Sequence, residues 1–148
     1  MRILAIDTST SWCSVALSFD GQIKHRHELI GAGASQHLLP WINELLHSVN
    51  AQYQDLDAIA VGIGPGAFTG VRLSVAIAQG LAVGAKRPVI PVASLDAMAM
   101  QLVQSNTFQR SSPAADTQFL IALDARMGEV YWARYHVNPI SNQPPKRI

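Results

Sequence analysis

Two short runs of consecutive apolar residues constrain the fold of this chain more than any other feature. Ile3-Leu4-Ala5-Ile6 ends at Asp7, and the run from Ala58 to Ile63 ends at Gly64-Pro65-Gly66. A strand that is apolar on both faces is typical of the centre of a parallel sheet, because helices cover such a sheet on both sides. The two runs therefore predict central strands of an α/β domain.

The segments around these runs complete an alternating pattern. Residues 12–19 alternate between apolar and polar, Asp20-Gly21 is a hairpin signal, and residues 23–30 continue as a third strand. Helical spacing predicts helices over about 35–49, 68–84 and 94–103, capped at Ser35 and Ser94, with Pro40 in or just past the first turn. Residues 88–92 form a fifth predicted strand. The order βββαβαβα over residues 1–104 is that of a ribonuclease-H-like half-domain, although spacing alone leaves other α/β arrangements open.

The remaining residues repeat the opening pattern. Residues 105–117 are polar and are predicted to form a linker. A strand over 119–123 then ends at Asp124, as the first strand ends at Asp7, and a second strand follows over 129–136. Residues 118–148 are thus predicted to be the first hairpin of a second, duplicated lobe. We expect the chain to be a truncated form of a longer two-lobed protein.

Bulk composition excludes several classes of protein. Charged residues make up 14% of the chain and the net charge is +1, which argues against a highly basic nucleic-acid surface and against disorder. The single cysteine, Cys13, excludes an internal disulfide and is expected to be buried in a strand. Neither a secretion signal nor an apolar run long enough to span a bilayer is visible. We therefore expect a soluble cytoplasmic protein that makes no contact with membranes.

Polar turns follow the first strand of each predicted lobe. Asp7-Thr8-Ser9-Thr10 has the composition of the turn that organises metal-bound water and phosphates in actin-like ATPases, and Asp124 begins the matching turn. Two such hairpins could clasp a nucleotide between two lobes. The alternative is that each turn is only the polar end of a hairpin, so Asp7, Thr8, Ser9 and Asp124 are candidates for a vestigial nucleotide site.

A glycine-rich loop follows the second apolar run. The segment from Gly62 to Ala67 formally matches a dinucleotide-binding fingerprint, but it follows the fourth strand and no acidic residue ends the next strand. A tight structural turn is the favoured interpretation. No Walker loop, HExxH motif, cysteine cluster or GxSxG elbow is present, so the sequence predicts neither a bound metal nor a cofactor.

The predicted helix from Phe68 to Gly84 is apolar around almost its whole circumference, with Arg72 as its only charge. Such a helix must be covered on more than one side, either by its own domain or by a partner. Small residues at positions 76, 80 and 84 would let another helix approach closely. The predicted interface combines this helix with the apolar stripe of the preceding one, and comprises Leu38, Trp41, Ile42, Leu45, Thr69, Arg72, Leu73, Ala76, Ile77, Gly80, Leu81 and Gly84.

Several segments together resemble the bacterial TsaB family, also called YeaZ, which is glycoprotease-like (M22) in older classifications. They are residues 1–9, 64–72 and 78–82, and the segment Asp124-Ala125-Arg126-Met127-Gly128-Glu129-Val130-Tyr131. The resemblance covers the chain to about His136. It implies an actin/Hsp70-like (ASKHA) fold with a second lobe that this chain does not complete.

The resemblance also implies a function. It suggests a non-catalytic subunit that binds TsaD, the catalytic paralogue that transfers threonylcarbamoyl to the adenosine beside the anticodon of tRNAs reading codons that start with A. The ATPase TsaE would join the complex, tRNA would be contacted only indirectly, and the chain alone would form a homodimer. Where TsaD-like sequences have two metal-binding histidines, this chain has Ser94 and Met98. An ATP-dependent phosphotransferase and a metalloprotease remain alternatives, although no residue supplies a protease mechanism.

Overall fold

The computed structural model describes residues 1–111, 113–114, 116–138 and 143–148, which form two compact units. Unit 1 comprises Met1–Val92 and unit 2 comprises Ala93–Ile148. Each unit has its own sheet and its own apolar cluster.

A five-stranded sheet forms the centre of unit 1. Its strands are β1 (Ile3–Asp7), β2 (Trp12–Phe19), β3 (Gln22–Leu29), β4 (Ala58–Gly62) and β5 (Val89–Val92), in the spatial order β3-β2-β1-β4-β5. The β1–β2 and β2–β3 pairs are antiparallel, whereas β4 is parallel to β1 and β5 is parallel to β4. This is the ribonuclease-H-like arrangement of the actin-like ATPase fold, and it confirms the predicted fold class.

Helices α1 (Ala34–His47) and α2 (Phe68–Ala85) pack against this sheet. The buried residues of β1 and β2, including Cys13, alternate along the strands and form one cluster with the apolar stripe of α1. Burial also raises the pKa of the Cys13 thiol, which keeps it protonated. Cys13 is therefore a core residue, as predicted.

The start of α1 differs from the prediction. Gly33 occupies the N-cap position instead of Ser35, and a 3₁₀ turn over Gly31–Gly33 leads into the helix. Pro40 consequently lies in the second turn, where it removes one backbone hydrogen bond. Because Leu38, Trp41 and Ile42 around it are buried, tertiary packing holds the helix together across this gap.

One helix among the described residues, α2, is long and apolar enough to cross a membrane by length and composition alone. It packs on β4 and β1, and its buried residues, Ser74, Ala78, Ala82 and Ala85, are all small. The helix therefore lies close to the sheet, with its larger apolar residues at the sides and on the outer face. That packing is typical of the helix layer of a globular α/β domain.

Unit 2 is a three-stranded antiparallel sheet with a helix on one face. Strands β6 (Thr117–Arg126), β7 (Glu129–Val137) and β8 (Lys146–Arg147) lie in that order, and α3 (Ser94–Gln104) packs on β6 and β7 through Leu95 and Ala99. A short helix, α4 (Asn106–Arg110), follows α3. Ala93 rather than Ser94 is the N-cap of α3, and the Ser94 hydroxyl is buried without a hydrogen-bond partner among the described residues.

The division into units differs from the predicted lobe boundary at residue 104. Because α3 contributes Leu95 and Ala99 to the apolar cluster of β6 and β7, the compact unit boundary falls after Val92. The predicted linker over 105–117 also contains α4, and the C-terminal segment adds β8 to the sheet. Predicted linker residues 112 and 115 lie outside the described residues.

A hydrogen bond from the Tyr135 hydroxyl to Asp96 connects β7 to α3 in the second unit. Burial and the hydrogen bond to Asp96 raise the Tyr135 pKa to about 12. Since the folded state favours the neutral phenol, the contribution of Tyr135 to stability is complete below the ordinary pKa of about 10 and is lost as the pH rises towards 12.

Replacement of Tyr135 by phenylalanine therefore has two expected effects. It lowers the free energy of unfolding by about 1–2 kcal/mol below pH 9, because the hydrogen bond is lost. It also makes stability less dependent on pH between about 10 and 12. Urea unfolding at several pH values measures both effects, with Tyr131→Phe on the same strand as the control. An unchanged pH dependence in Tyr135→Phe would contradict this assignment.

Candidate functional site

The first candidate site is the turn that follows β1. The Asp7 carboxylate accepts hydrogen bonds on Oδ1 from the Ser9 backbone N–H (2.8 Å) and from the Ser9 hydroxyl (2.7 Å). The buried Thr8 hydroxyl donates to the carbonyl of Gly70 in the first turn of α2 (2.6 Å). The Thr8 and Ser9 hydroxyl groups, two of the three in this turn, thus donate within the protein.

Three glycines allow the end of β4, the loop that follows it and the start of α2 to approach this turn. A Cβ atom on Gly62 would lie 1.8 Å from Asp7 Oδ2, one on Gly66 would lie 2.4 Å from the Ser9 carbonyl oxygen, and one on Gly70 would lie 1.8 Å from the Thr8 carbonyl oxygen. No side chain fits at such distances. Gly66 and Gly70 therefore serve contact between two segments of backbone, and Gly62 leaves room for the Asp7 carboxylate. Both roles agree with the tight-turn interpretation of the sequence.

The N-cap residue of α2, Ala67, also takes part in this contact. The Ala67 backbone N–H, which a phosphate at a helix N-terminus would use, donates to the Ser9 carbonyl (2.6 Å). This hydrogen bond engages one of the backbone amides that a phosphate at this helix start would use. Of the predicted nucleotide-site residues, the structure brings Asp7, Thr8 and Ser9 together in one turn.

Asp124, the fourth predicted nucleotide-site residue, lies in unit 2 on the exposed end of β6. Its Oδ1 accepts a hydrogen bond from the Arg126 backbone N–H (2.7 Å), and Arg126, Met127 and Gly128 all have positive φ angles. This is the geometry of a polar hairpin end with a register shift between Asp124 and Arg126. The predicted nucleotide site between two hairpins stays a prediction.

The second candidate site is the outer face of α2. Thr69, Arg72, Ala76, Gly80 and Gly84 are exposed on it, and Leu73, Ile77 and Leu81 are half-buried along its side. A Cβ atom on Gly80 or Gly84 would meet no atom within 4 Å, so this face is flat and open. The structure thus places Thr69, Arg72, Ala76, Gly80 and Gly84 on one accessible surface, which we call the α2 face, whereas Leu73, Ile77 and Leu81 pack partly against the core of unit 1.

Sequence reasoning missed two residues of the α2 face. Val83 is 80% exposed and Phe68 is 67% exposed, with the Arg72 guanidinium 3.6 Å from the centre of the Phe68 ring. Val83 lies seven residues after Ala76, a spacing that places both on one side of a helix and could have revealed it. The two side chains increase the apolar area that the α2 face offers.

The predicted α1 part of the interface requires a correction. Leu38, Trp41, Ile42 and Leu45 are all buried in the core of unit 1. Their stripe faces the sheet, because a helix with one apolar stripe buries that stripe in its own domain first. These four residues are therefore unavailable as anchors for a partner.

No group of three histidine, cysteine, aspartate or glutamate side chains converges within the described ranges.

The family of this chain follows from comparison with known proteins. A family model described as TsaD, tRNA N6-adenosine threonylcarbamoyltransferase, matches residues 28–141. The chain belongs to the TsaD family.

Within the TsaD family the chain resembles TsaB, as its sequence segments predicted. It is 47% identical over 135 residues to the tRNA threonylcarbamoyladenosine biosynthesis protein TsaB of Escherichia coli K12, which covers 91% of this chain and 55% of that protein. For the TsaB of Haemophilus influenzae the identity is 42%, over 90% of this chain and 53% of that protein. The chain thus spans about half the length of these curated relatives.

Solved structures show the same relationship. YeaZ from Pseudomonas aeruginosa superposes with a TM-score of 0.82 at 37% identity, over 99% of this chain and 64% of that one. A second Pseudomonas aeruginosa structure, described as an uncharacterized protein with similarity to peptidase YeaZ, has a TM-score of 0.84, with coverage of 99% and 63%. These similarities confirm the resemblance to TsaB (YeaZ) that the sequence segments predicted.

The glycine contacts generate a prediction with an internal control. Gly70→Ala places a Cβ atom against the Thr8 carbonyl and should lower the free energy of unfolding by about 1–3 kcal/mol. Gly80→Ala, in the same helix but open to solvent, should raise it by about 0.5–1 kcal/mol. Urea denaturation of both variants checks the pair, and equal effects would contradict the role assigned to Gly70.

The occupied turn generates a prediction about ATP. We expect the isolated chain to show no ATP hydrolysis above background, because the Thr8 and Ser9 hydroxyls and the Ala67 N–H already have partners. Phosphate release from ATP and Mg²⁺, measured for the wild type and for Asp7→Ala, tests this. Turnover in the wild type that disappears in Asp7→Ala would overturn the prediction.

Proposed function

We propose that the chain is a non-catalytic subunit in the biosynthesis of threonylcarbamoyladenosine in tRNA, and that it acts by binding the catalytic TsaD protein in the cytoplasm. The names of its relatives support the pathway. The observation that carries the subunit role is the pairing of a closed Asp7–Ser9 turn with an open, apolar α2 face. The Thr8 and Ser9 hydroxyl groups of the turn are engaged within the protein, whereas a surface suited to a partner helix is exposed.

The α2 face has the properties of a helix-packing surface. Its centre consists of Ala76, Gly80 and Gly84, which allow close approach of backbones, and Val83 and Phe68 contribute larger apolar area. Arg72, the only charged residue between Phe68 and Ala85, makes no salt bridge within the described part of the chain. A partner helix with apolar residues and one carboxylate would fit this face.

One surface can serve only one partner at a time. In isolation, two copies of the α2 face can pack against each other around a two-fold axis, which would give a homodimer. When TsaD is present, its related surface would compete for the same residues and a heterodimer would replace the homodimer. TsaE would join this pair. ATP turnover by the isolated chain would instead support the alternative function, that of an ATP-dependent phosphotransferase.

Gly80→Leu tests this proposal. The leucine side chain extends into open space in the isolated chain, so the variant should fold, yet it holds a partner helix away. We expect overpacking to weaken homodimer formation and TsaD binding, each by about 1–3 kcal/mol, which is about 5- to 150-fold. Light scattering measures the homodimer and calorimetric titration measures TsaD binding.

Gln101→Leu provides the matched control, because it adds the same side chain at an exposed position of α3 in unit 2. Circular dichroism checks that both variants are folded. If Gly80→Leu associates as tightly as Gln101→Leu and the wild type, the α2 face is not the interface.

A further inference from the structure

The two edges of the unit 1 sheet differ in how they are protected against pairing with another strand. An edge strand presents unpaired backbone N–H and C=O groups, and proteins protect such edges with short strands, prolines or bulges. At one edge, β5 has four residues and contains Pro91. At the other edge, β3 has eight residues and no proline, and it pairs with β2 over its whole length without a shift in register. β3 is therefore a long, regular edge without these three protections.

The charged side chains of β3 have both signs. Lys24 Nζ donates to the carbonyl oxygen (2.9 Å) and the hydroxyl (3.0 Å) of Ser48, and Arg26 forms an ion pair with Glu44 of α1. Lysine on an edge strand usually discourages pairing, because a second copy of the strand is repelled. Here Glu28 lies on the same side of the strand as the two cations, so a second copy can be attracted instead.

The sequence of β3 is complementary to itself when two copies run antiparallel. In the register centred on Arg26, Lys24 lies opposite the partner's Glu28 and Ile23 lies opposite the partner's Leu29. The two-fold axis repeats each pair. Directly opposite residues of an antiparallel pair share one face of the sheet, where opposite charges and apolar side chains stabilise the pairing.

The centre of this register is compatible with pairing as well. The two copies of Arg26 lie opposite each other, and the ion pair with Glu44 offsets the charge of each. His25 lies opposite the partner's His27, and a neutral imidazole can both donate and accept a hydrogen bond. The register therefore leaves no uncompensated charge at the centre.

Exposed apolar side chains mark the two ends of the strand. Ile23 is 73% exposed and Leu29 is 65% exposed. Trp12 of β2 lies opposite Leu29 and is 44% exposed. In the paired sheet, Trp12, Leu29 and the partner's Ile23 form a row across three strands, on the side away from α1. Pairing thus covers apolar surface that a single copy exposes, with an aromatic side chain of the kind that anchors interfaces.

We infer that two copies of the chain pair edge to edge through β3, around a two-fold axis at Arg26, so that their sheets become continuous. This surface is separate from the α2 face, because α2 packs on β4, β1 and β5, whereas β3 lies at the other end of the sheet. The inference goes beyond the proposed function, since pairing through β3 can join two copies whose α2 faces hold TsaD. An edge-to-edge contact is small, so the association is weak and requires high protein concentration.

Exchange of the two charges tests this pairing. All variants are made in the Gly80→Leu protein, in which association through the α2 face is weakened, and sedimentation equilibrium at low salt measures self-association. Lys24→Glu places like charges opposite each other at both ends of the strand pair, and so does Glu28→Lys. Each should weaken self-association about tenfold. The double variant Lys24→Glu/Glu28→Lys restores opposite charges and should associate like the Gly80→Leu parent.

A mixture of the two single variants gives a sharper result. Each variant repels itself, but Lys24→Glu is acidic where Glu28→Lys is basic, at both ends of the strand pair. The mixture should therefore form a heterodimer more tightly than either variant forms a homodimer. A purely structural effect of either substitution does not produce this recovery.

Matched controls lie outside β3. Arg110→Glu reverses an exposed cation of α4 and should associate like the parent. Leu29→Ser should weaken association, whereas Ile90→Ser, at an exposed apolar position of the other edge strand, should not. Circular dichroism and urea unfolding establish that each variant is folded, because Lys24→Glu also removes the contact with Ser48. If Lys24→Glu does not fold, Glu28→Lys and Leu29→Ser still test the pairing.

Three outcomes would overturn the inference. The Gly80→Leu parent could remain monomeric up to about 1 mM. The charge variants could associate as tightly as Arg110→Glu and the parent. The mixture could associate no more tightly than its components, which would exclude the register centred on Arg26. Retained TsaD binding in Gly80→Leu would count against the proposed function alone, because the charge exchange reports on β3 whether or not the α2 face binds a partner.

Discussion

The structure of unit 1 depends on the contact between the Asp7–Ser9 turn and the start of α2. Gly70 and Gly66 allow carbonyl oxygens of Thr8 and Ser9 to lie where a Cβ atom would otherwise be. The hydrogen bonds from Thr8 to Gly70 and from Ala67 to Ser9 then fix α2 against the end of β1. Buried polar groups with complete partners of this kind make a local structure rigid and unique.

This contact engages groups that a phosphate-binding turn of the actin-like fold would use. In an actin-like ATPase the turn after the first strand must stay open to phosphate. Here the Thr8 and Ser9 hydroxyl groups and the backbone N–H of Ala67 donate to protein atoms instead. The same contact holds α2 in place with its small residues against the sheet and its flat face outward. One contact thus both engages the Asp7–Ser9 turn and orients the α2 face outward.

The sequence predicted the central sheet well, because apolar runs and alternation report directly on burial. It located the α2 face from the small residues at positions 76, 80 and 84, but missed Val83 and Phe68. The α1 stripe of Leu38, Ile42 and Leu45 misled, because an apolar stripe has the same spacing whether it faces a partner or its own sheet. The contact partners of Gly62 and Gly70 could not be predicted, because they lie far away in sequence.

The unit boundary shows the same limit of local reasoning. The pattern of α3 predicts a helix correctly, but only tertiary packing on β6 and β7 assigns it to unit 2. Likewise, Lys24 and Glu28 are unremarkable in a strand until the sheet order and register show that they lie on a long, regular edge. Residue type and spacing therefore predicted the helices and strands, whereas the extent of the exposed surfaces could be defined only from the structure.

The most direct test of the central claim is the mass of the species formed when the chain is mixed with the TsaD protein of the same organism, measured by native mass spectrometry. If the α2 face serves both partners, the homodimer peak decreases as a peak of one chain plus one TsaD increases. A complex that contains two copies of the chain bound through the α2 face together with TsaD, or a mixture that keeps only the separate masses, would contradict the account.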